Sequence, residues 1–232
     1  MKNKKLDYID DIPTPYRLDV HKAIAKKWEG EYKVLYLASE EPGRSWDLDF
    51  TNLDFEVIPG IQISLPFKSN PFAFKWNRLI YRYLNCIKPD YVVLSGYIHP
   101  SIIYAFYWCR KNRIPYGVAC ETSCLSTKCD GLSWQIKKRI FGSVVKNMSF
   151  GLPQGKDSAE YLNLLGNGSF PMFPFPNTPN PNRFIDLSKN LNKSNKISHV
   201  LSLYGIPKNK RVILFVGRLI EAKRPDDLIR AF

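Results

Sequence analysis

YVVLSGYIHPSIIYAFYWC, residues 91–109, is the most apolar stretch of the chain, and its reading separates two kinds of protein. Taken as one helix, it is about long enough to cross a bilayer. Gly96 and the His99-Pro100 pair break that helix near its middle, because a residue before proline is driven out of the helical region. The stretch therefore reads as a strand, YVVLS, then a turn, then a helix, SIIYAFYWCRKN. A strand running straight into a helix is the unit of an α/β fold, and the flanking sequence supplies more such units.

Towards the N-terminus, a strand near Lys5–Ile9 is followed by IPTPYR and a helix RLDVHKAIAKKW; KVLYLA (33–38) and DFEVIP (54–59) read as further strands. Between Phe74 and Ile87, apolar Leu79, Ile80, Tyr83, Leu84 and Ile87 recur at helical spacing, which predicts one amphipathic helix with Lys75, Arg78 and Arg82 on its solvent face. Towards the C-terminus come a strand PYGVAC (115–120), a helix over Trp134–Lys146, a strand NMSFGL, a helix KDSAEYLNLLG stopped by Gly166, and a last strand FPMFPF. The alternation predicts a parallel sheet over residues 1–180. Residues 181–209, rich in Asn, Pro, Ser and Lys, read as a linker with a short helix near His199–Tyr204. Residues 210–232 read as one strand, RVILFV, and the start of a helix; a single βα unit cannot bury its own apolar face, so the expectation is a second domain cut short.

Composition narrows the function. Of 232 residues 44% are apolar, enough for a packed core, and 34 Lys and Arg against 21 Asp and Glu give +13, which predicts attraction to an anionic partner. No helix-turn-helix, zinc-finger or RRM signature accompanies that charge, so no nucleic-acid partner is expected. The polar N-terminus, MKNKKLDYIDD, has no apolar signal core, which points to the cytoplasm. The sequons at Asn147, Asn167 and Asn192 are then unused. Cys86, Cys109, Cys120, Cys124 and Cys129 are expected as reduced, buried thiols, and no metal is expected because Cys120, Cys124 and Cys129 have no fourth ligand nearby.

The closing segment, RVILFVGRLIEAKRPDDLIRAF (211–232), carries chemistry of its own. A strand ending in Gly217 turns into a helix that has Pro225 near its first turn and Asp226 and Asp227 favouring its N-terminus, with Arg218 and Lys223 alongside. Free backbone N–H groups beside two cations suit a diphosphate. VGRLIEAKRPDDLIRAF resembles the opening of the C-terminal domain of glycosyltransferase family 4, whose usual form is roughly VGRL...KG.d.Li.Af. The rest agrees in order: IPTPYR (12–17) resembles the first strand-to-helix loop of polysaccharide-building members, KPDYVVLSGYIHPSIIYA and RIPYGVACETS resemble two later strand ends, and GKDSAEYLNLLG followed by FPFPNTPNPNRF resembles the passage that closes the N-terminal domain.

The resemblance implies a GT-B fold: a Rossmann-like N-terminal domain that binds the sugar acceptor, followed by a truncated second Rossmann-like domain that binds the donor. It implies a metal-independent, retaining transfer of a sugar from a nucleotide sugar to a glycan or lipid-linked saccharide, in cell-surface polysaccharide biosynthesis. By position, Gly217, Arg218 and Lys223 fall to the donor diphosphate, Tyr16 and Arg17 to the sugar acceptor, and His99 and Glu121 to the catalytic strand ends. Two departures stand out. Many members have a Gly-Gly pair where this chain has Thr14-Pro15-Tyr16-Arg17, so Arg17 is expected to supply charge in place of backbone donors, and Glu121 stands where many members have a His. The family's Glu-x7-Glu pair lies further along, in a domain of about 150 residues, so the chain is expected to be poorly active alone. A noncatalytic remnant, or a module completed in trans by a separate C-terminal domain, is the rival reading. Lys75, Arg78 and Arg82, with Lys137, Lys138 and Arg139, are expected to face an anionic membrane surface.

Overall fold

A computed structural model describes residues 3–41, 46–65, 72–193, 196–207, 210–217, 219 and 223–232. Strands β1 (Lys4–Asp10), β2 (Gly30–Tyr36), β3 (Phe55–Val57), β6 (Tyr91–Ser95), β7 (Tyr116–Cys120) and β8 (Phe150–Pro153) form one parallel sheet in the order β3-β2-β1-β6-β7-β8. Strands β4 (Ile61–Leu65) and β5 (Phe72–Trp76) pair separately as a two-stranded ribbon. Helices α1 (Pro15–Lys27), α2 (Ile80–Ile87), α3 (Pro100–Asn112), α4 (Gly131–Lys146) and α5 (Lys156–Gly166) complete a first compact unit; α6 (Pro181–Lys193), α7 (Lys196–Leu203) and α8 (Pro225–Ala231) belong to a second. With the ribbon set aside, the strand order is that of a Rossmann sheet, whose direction of winding reverses between β1 and β6. The first unit is therefore a Rossmann-like α/β domain.

The sheet is buried on both faces, which is why the inner strands β6, YVVLS, and β7, YGVAC, are near-continuous apolar runs rather than alternating. Ile9, Leu35, Val92, Leu94 and Val118 pack against helices α2 to α5, through Leu84, Ile102, Trp134 and Leu162. Tyr8, Val34, Tyr36, Val93 and Ala119 face the other way, onto Leu18 of α1. The 91–109 stretch is a strand, a turn at Gly96 with φ +80°, and a helix starting at Pro100. Among the described residues, no helix is long and apolar enough to cross a membrane.

Several expectations are corrected. The predicted helix over Phe74–Ile87 is helical only from Ile80; its first part is β5, in which Ala73 and Lys75 are buried, and Asn77 just after it continues the period of two. Lys75 is thus an interior residue and leaves the basic stripe, while Arg78 and Arg82 stay exposed. FPMFPF is not a full strand: Met172 alone bridges to Gly151, because Pro171 and Pro174 offer no N–H to a ladder. The stop after α5 is Asn167, in the left-handed region at φ 54°; Gly166 is the last helical residue, pressed by Phe170 and Val145. Within residues 181–209, α7 covers most of the short helix expected near His199–Tyr204 and α6 forms ahead of it, while residues 211–216, expected as a strand, belong to none, since no described neighbour takes their backbone hydrogen bonds. Cys86 is exposed, Cys124 and Cys129 are joined as a disulfide, and only Cys109 and Cys120 are buried free thiols, raised by burial to about 12 and about 11.

Candidate functional site

The site lies where β1, β6 and β7 end, at the reversal of winding, the place at which open α/β sheets bind ligands. β1 delivers Asp10 and, one residue on, Asp11. Arg17 and His21, four residues apart, share one face of α1 and both reach Asp10. Arg17 Nη1 lies 3.3 Å from Asp10 Oδ1 and donates to Tyr8 Oη at 3.1 Å; its Nη2 donates to Glu121 Oε1, at the end of β7. Asn177 Nδ2 donates to the same Glu121 oxygen. His21 Nε2 is 3.0 Å from Asp10 Oδ2, and its Nδ1 is 2.6 Å from Tyr32 Oη. Burial alone would raise the pKa of Asp10, but the Arg17 charge and the His21 hydrogen bond hold it below the usual carboxylate value. Burial also raises the Tyr8 phenol, so that group stays protonated.

A second network adjoins the first through Asp11, whose N–H donates to Asp10 Oδ1 at 2.8 Å. The fully buried Lys75 ammonium donates to Asp11 Oδ1 and to Glu41 Oε1. His99 Nε2 is 3.1 Å from Asp11 Oδ1, while the Lys75 backbone N–H donates to His99 Nδ1 at 3.4 Å. The His99 proton is thereby assigned to Nε2, with Nδ1 accepting. Ser101 Oγ accepts from the Asn77 N–H at 2.7 Å and donates to the Lys75 carbonyl at 3.0 Å, and Asn77 Nδ2 donates to the Leu37 and Ile58 carbonyls. The ribbon is thus stitched to the ends of β2 and β3 and to α3. Burial would raise the Asp11 pKa, but the His99 hydrogen bond, with the Lys75 charge, brings it down to about 2.

Of the residues singled out in the sequence, Arg17 and Glu121 are in contact, and His99 joins them through Asp11 and Asp10. Arg17 is not a spare cation: its charge is taken up by Asp10 and Glu121. His99 also closes the start of α3, where its carbonyl accepts from the Ile102 and Ile103 N–H groups. Tyr16 is exposed and takes no part in either network. Gly217 and Lys223 are exposed in the second unit, and Gly217 does not adopt positive φ; α8 does begin at Pro225 with Asp226 and Asp227 in its first turn. Arg218 lies outside the described residues. Asp10, Asp11, His21, Glu41 and Lys75 were not singled out in the sequence as site residues. The Asp10-Asp11 pair at a strand end and the four-residue spacing of Arg17 and His21 were the available signals; for Lys75 the helical reading concealed it. Among the described residues, no group of three or more His, Cys, Asp or Glu side chains could hold a metal ion.

No protein-family model matches the chain, and no curated protein matches it in sequence. Among solved structures it is similar to a UDP-N-acetylglucosamine 2-epimerase at 12% identity, covering 75% of this chain and 48% of that one with a TM-score of 0.45. It is similar to the UDP-GlcNAc 2-epimerase of Neisseria meningitidis bound to UDP-GlcNAc at 14% identity, covering 90% and 55% with a TM-score of 0.45. A third is Acinetobacter baumannii MurG, at 12% identity, covering 75% and 44% with a TM-score of 0.40. The chain spans about half the length of the structures it matches.

Proposed function

We propose that this chain is the sugar-acceptor side of a GT-B glycosyltransferase of the family 4 type, acting with a donor-binding domain in the assembled enzyme. The observation that carries the reading is the convergence of Arg17, His99 and Glu121, through Asp10 and Asp11, on the reversal point of a Rossmann-like sheet. The ordered resemblance of the strand ends to that family supports it. The reaction moves a sugar from a nucleotide sugar to a glycan or lipid-linked saccharide with retention and without a metal. Glu121, steadied by Arg17 and Asn177, orients a hydroxyl of the sugar acceptor; His99 holds Asp11 and the start of α3 in place. Gly217, Arg218 and Lys223 contact the donor diphosphate.

An anionic membrane surface is the proposed place of work. Along α4 the apolar Leu132, Ile136 and Ile140 are exposed at four-residue spacing beside Arg139, a face that suits the boundary of a charged leaflet. Co-sedimentation with anionic vesicles at low salt tests this, and its absence contradicts it. The transfer itself is tested by incubating the chain with nucleotide sugars and saccharide acceptors, alone and with a family 4 donor domain supplied in trans. Transfer is expected only with both domains, and turnover by the 232-residue chain alone contradicts the division of labour.

A further inference from the structure

Each cation at the strand ends has a more exposed carboxylate outside it, while Arg17 also has the buried Asp10, 1% exposed, inside it. Lys75 is 0% exposed and Arg17 12%, whereas the carboxylates that hold them, Asp11 and Glu121, are 33% and 48% exposed. His99 is buried behind Asp11, and His21 lies against Asp10, itself 1% exposed. One oxygen of each outer carboxylate is taken by internal donors: Asp11 Oδ1 by Lys75 and His99, Glu121 Oε1 by Arg17 and Asn177. The hydrogen bonds described to these two side chains all end on those oxygens, which leaves Asp11 Oδ2 and Glu121 Oε2 for a ligand. A third polar group lies in the turn that links Asp11 to Arg17: the hydroxyl of Thr14, 5% exposed, has no partner among the described residues.

Charge and spacing together say what this face can take. Among the described residues of the two networks, Asp10, Asp11, Glu41 and Glu121 outnumber the fixed cations Arg17 and Lys75 by four to two, with Asp10 on the inner side, in a chain whose overall charge is +13. An incoming phosphate meets carboxylates before either cation, and like charges at close range repel it. A hydroxyl, by contrast, donates to an ionised carboxylate in a charge-assisted hydrogen bond. β1 and β7 flank β6, so their ends stand about 10 Å apart at the usual strand spacing. A single sugar ring with a hydroxyl at either end spans that gap.

We propose that Asp11 and Glu121 bind a neutral, hydroxyl-rich ring through Oδ2 and Oε2, and that this edge rejects phosphate and other anionic groups. The proposal rests on the glycosyl-transfer reading and names its sugar acceptor as an uncharged one. Lys75 and Arg17 are positioning residues: they fix the two carboxylates in place and do not touch the ligand.

The test is saturation-transfer NMR on the 232-residue chain with methyl glucoside, methyl N-acetylglucosaminide, glucuronic acid and inorganic phosphate as probes. A neutral glycoside is expected to bind at millimolar strength and both anions about tenfold or more weaker. Asp11→Asn and Glu121→Gln are each expected to weaken the glycoside by about tenfold, the loss of one charged hydrogen bond, and to narrow the preference against phosphate. Should Asp11→Asn fail to fold by urea unfolding, Glu121→Gln, on the exposed rim, carries the test. Phosphate or glucuronate binding as tightly as the glycosides overturns the proposal, as does the absence of glycoside binding at tens of millimolar. Failure here with sugar transfer still detected removes only the charge argument; glycoside binding without any transfer removes the glycosyl-transfer reading instead.

Discussion

Replacing Lys75 by Met separates the interior position of this residue from the solvent-facing one that helical periodicity implies. In the folded protein its ammonium is fully buried against Asp11 and Glu41, so the substitution leaves two carboxylates facing each other without that counter-charge. Breaking a buried pair by removing one partner costs about 3–5 kcal/mol. Asp11 keeps 33% of its side chain in water, which brings the expectation to the lower end, about 3 kcal/mol. For a domain of this size, that lowers the midpoint of thermal unfolding by roughly 6–12 °C. Urea unfolding of Lys75→Met at neutral pH, followed by tryptophan fluorescence, measures the loss. Adding Glu41→Gln should recover part of it, since one of the two carboxylates that Lys75 holds is then neutral. A cost below about 1 kcal/mol, the size found for exposed pairs, refutes the buried-network account.

Asp11, held down at about 2 against an ordinary 3.8, stabilises the folded state at pH values above 3.8 and loses that contribution as the pH falls through 2; Asp11→Asn should therefore remove about 2 kcal/mol of acid-dependent stability, read from urea midpoints between pH 5 and 2. Asp7 behaves oppositely: buried in β1 with no partner for Oδ2 among the described residues, it is pushed up to about 7, so the fold takes up a proton that the unfolded chain does not, and stability falls as pH rises from about 4 to 7. Asp7→Asn should be more stable than the parent at pH 8 by about 2–4 kcal/mol, and equal stability there contradicts the assignment. Gly166→Ala would place its Cβ 2.8 Å from the Phe170 ring and 2.9 Å from Val145, for an expected loss of about 1–3 kcal/mol in denaturant melts. Reduction of the Cys124–Cys129 disulfide, whose ring is short, should lower stability by about 2 kcal/mol and add the mass of two hydrogen atoms to the intact chain.

The parallel sheet was legible because its strands are short apolar runs bounded by breakers: Gly96 and Pro100 divide residues 91–109, and Pro115 starts the run that becomes β7. The ribbon was not, because over one turn a period of two and a period of 3.6 fit Phe74, Trp76 and Leu79 almost equally, and lysine is seldom fully buried unless paired. Its partners, Asp11 and Glu41, are 64 and 34 residues away, so no local pattern announces them. At the site, Arg17 in the first turn of α1 and His99 and Glu121 just past β6 and β7 lie close together, as their order in the sequence suggests. What could not be read was which way each charge points: that Arg17 turns inward to Asp10 while Glu121 stays at the rim depends on the depth of each side chain below the sheet edge. In the second unit, α8 was signalled by Pro225, Asp226 and Asp227, whereas the apolar run 212–216 was indistinguishable from a strand without knowledge of its neighbours.

The central claim is that this edge presents a sugar hydroxyl for glycosyl transfer, and product analysis tests it most directly. The chain, with a donor domain supplied in trans, is incubated with nucleotide sugars and neutral saccharide acceptors, and the products are resolved by mass and by anomeric NMR. The account predicts a lengthened saccharide with the anomeric configuration of the donor retained, and a rate at least about tenfold lower for Glu121→Gln. A nucleotide sugar whose configuration changes with no saccharide acceptor present, or transfer indifferent to Glu121→Gln, would contradict it.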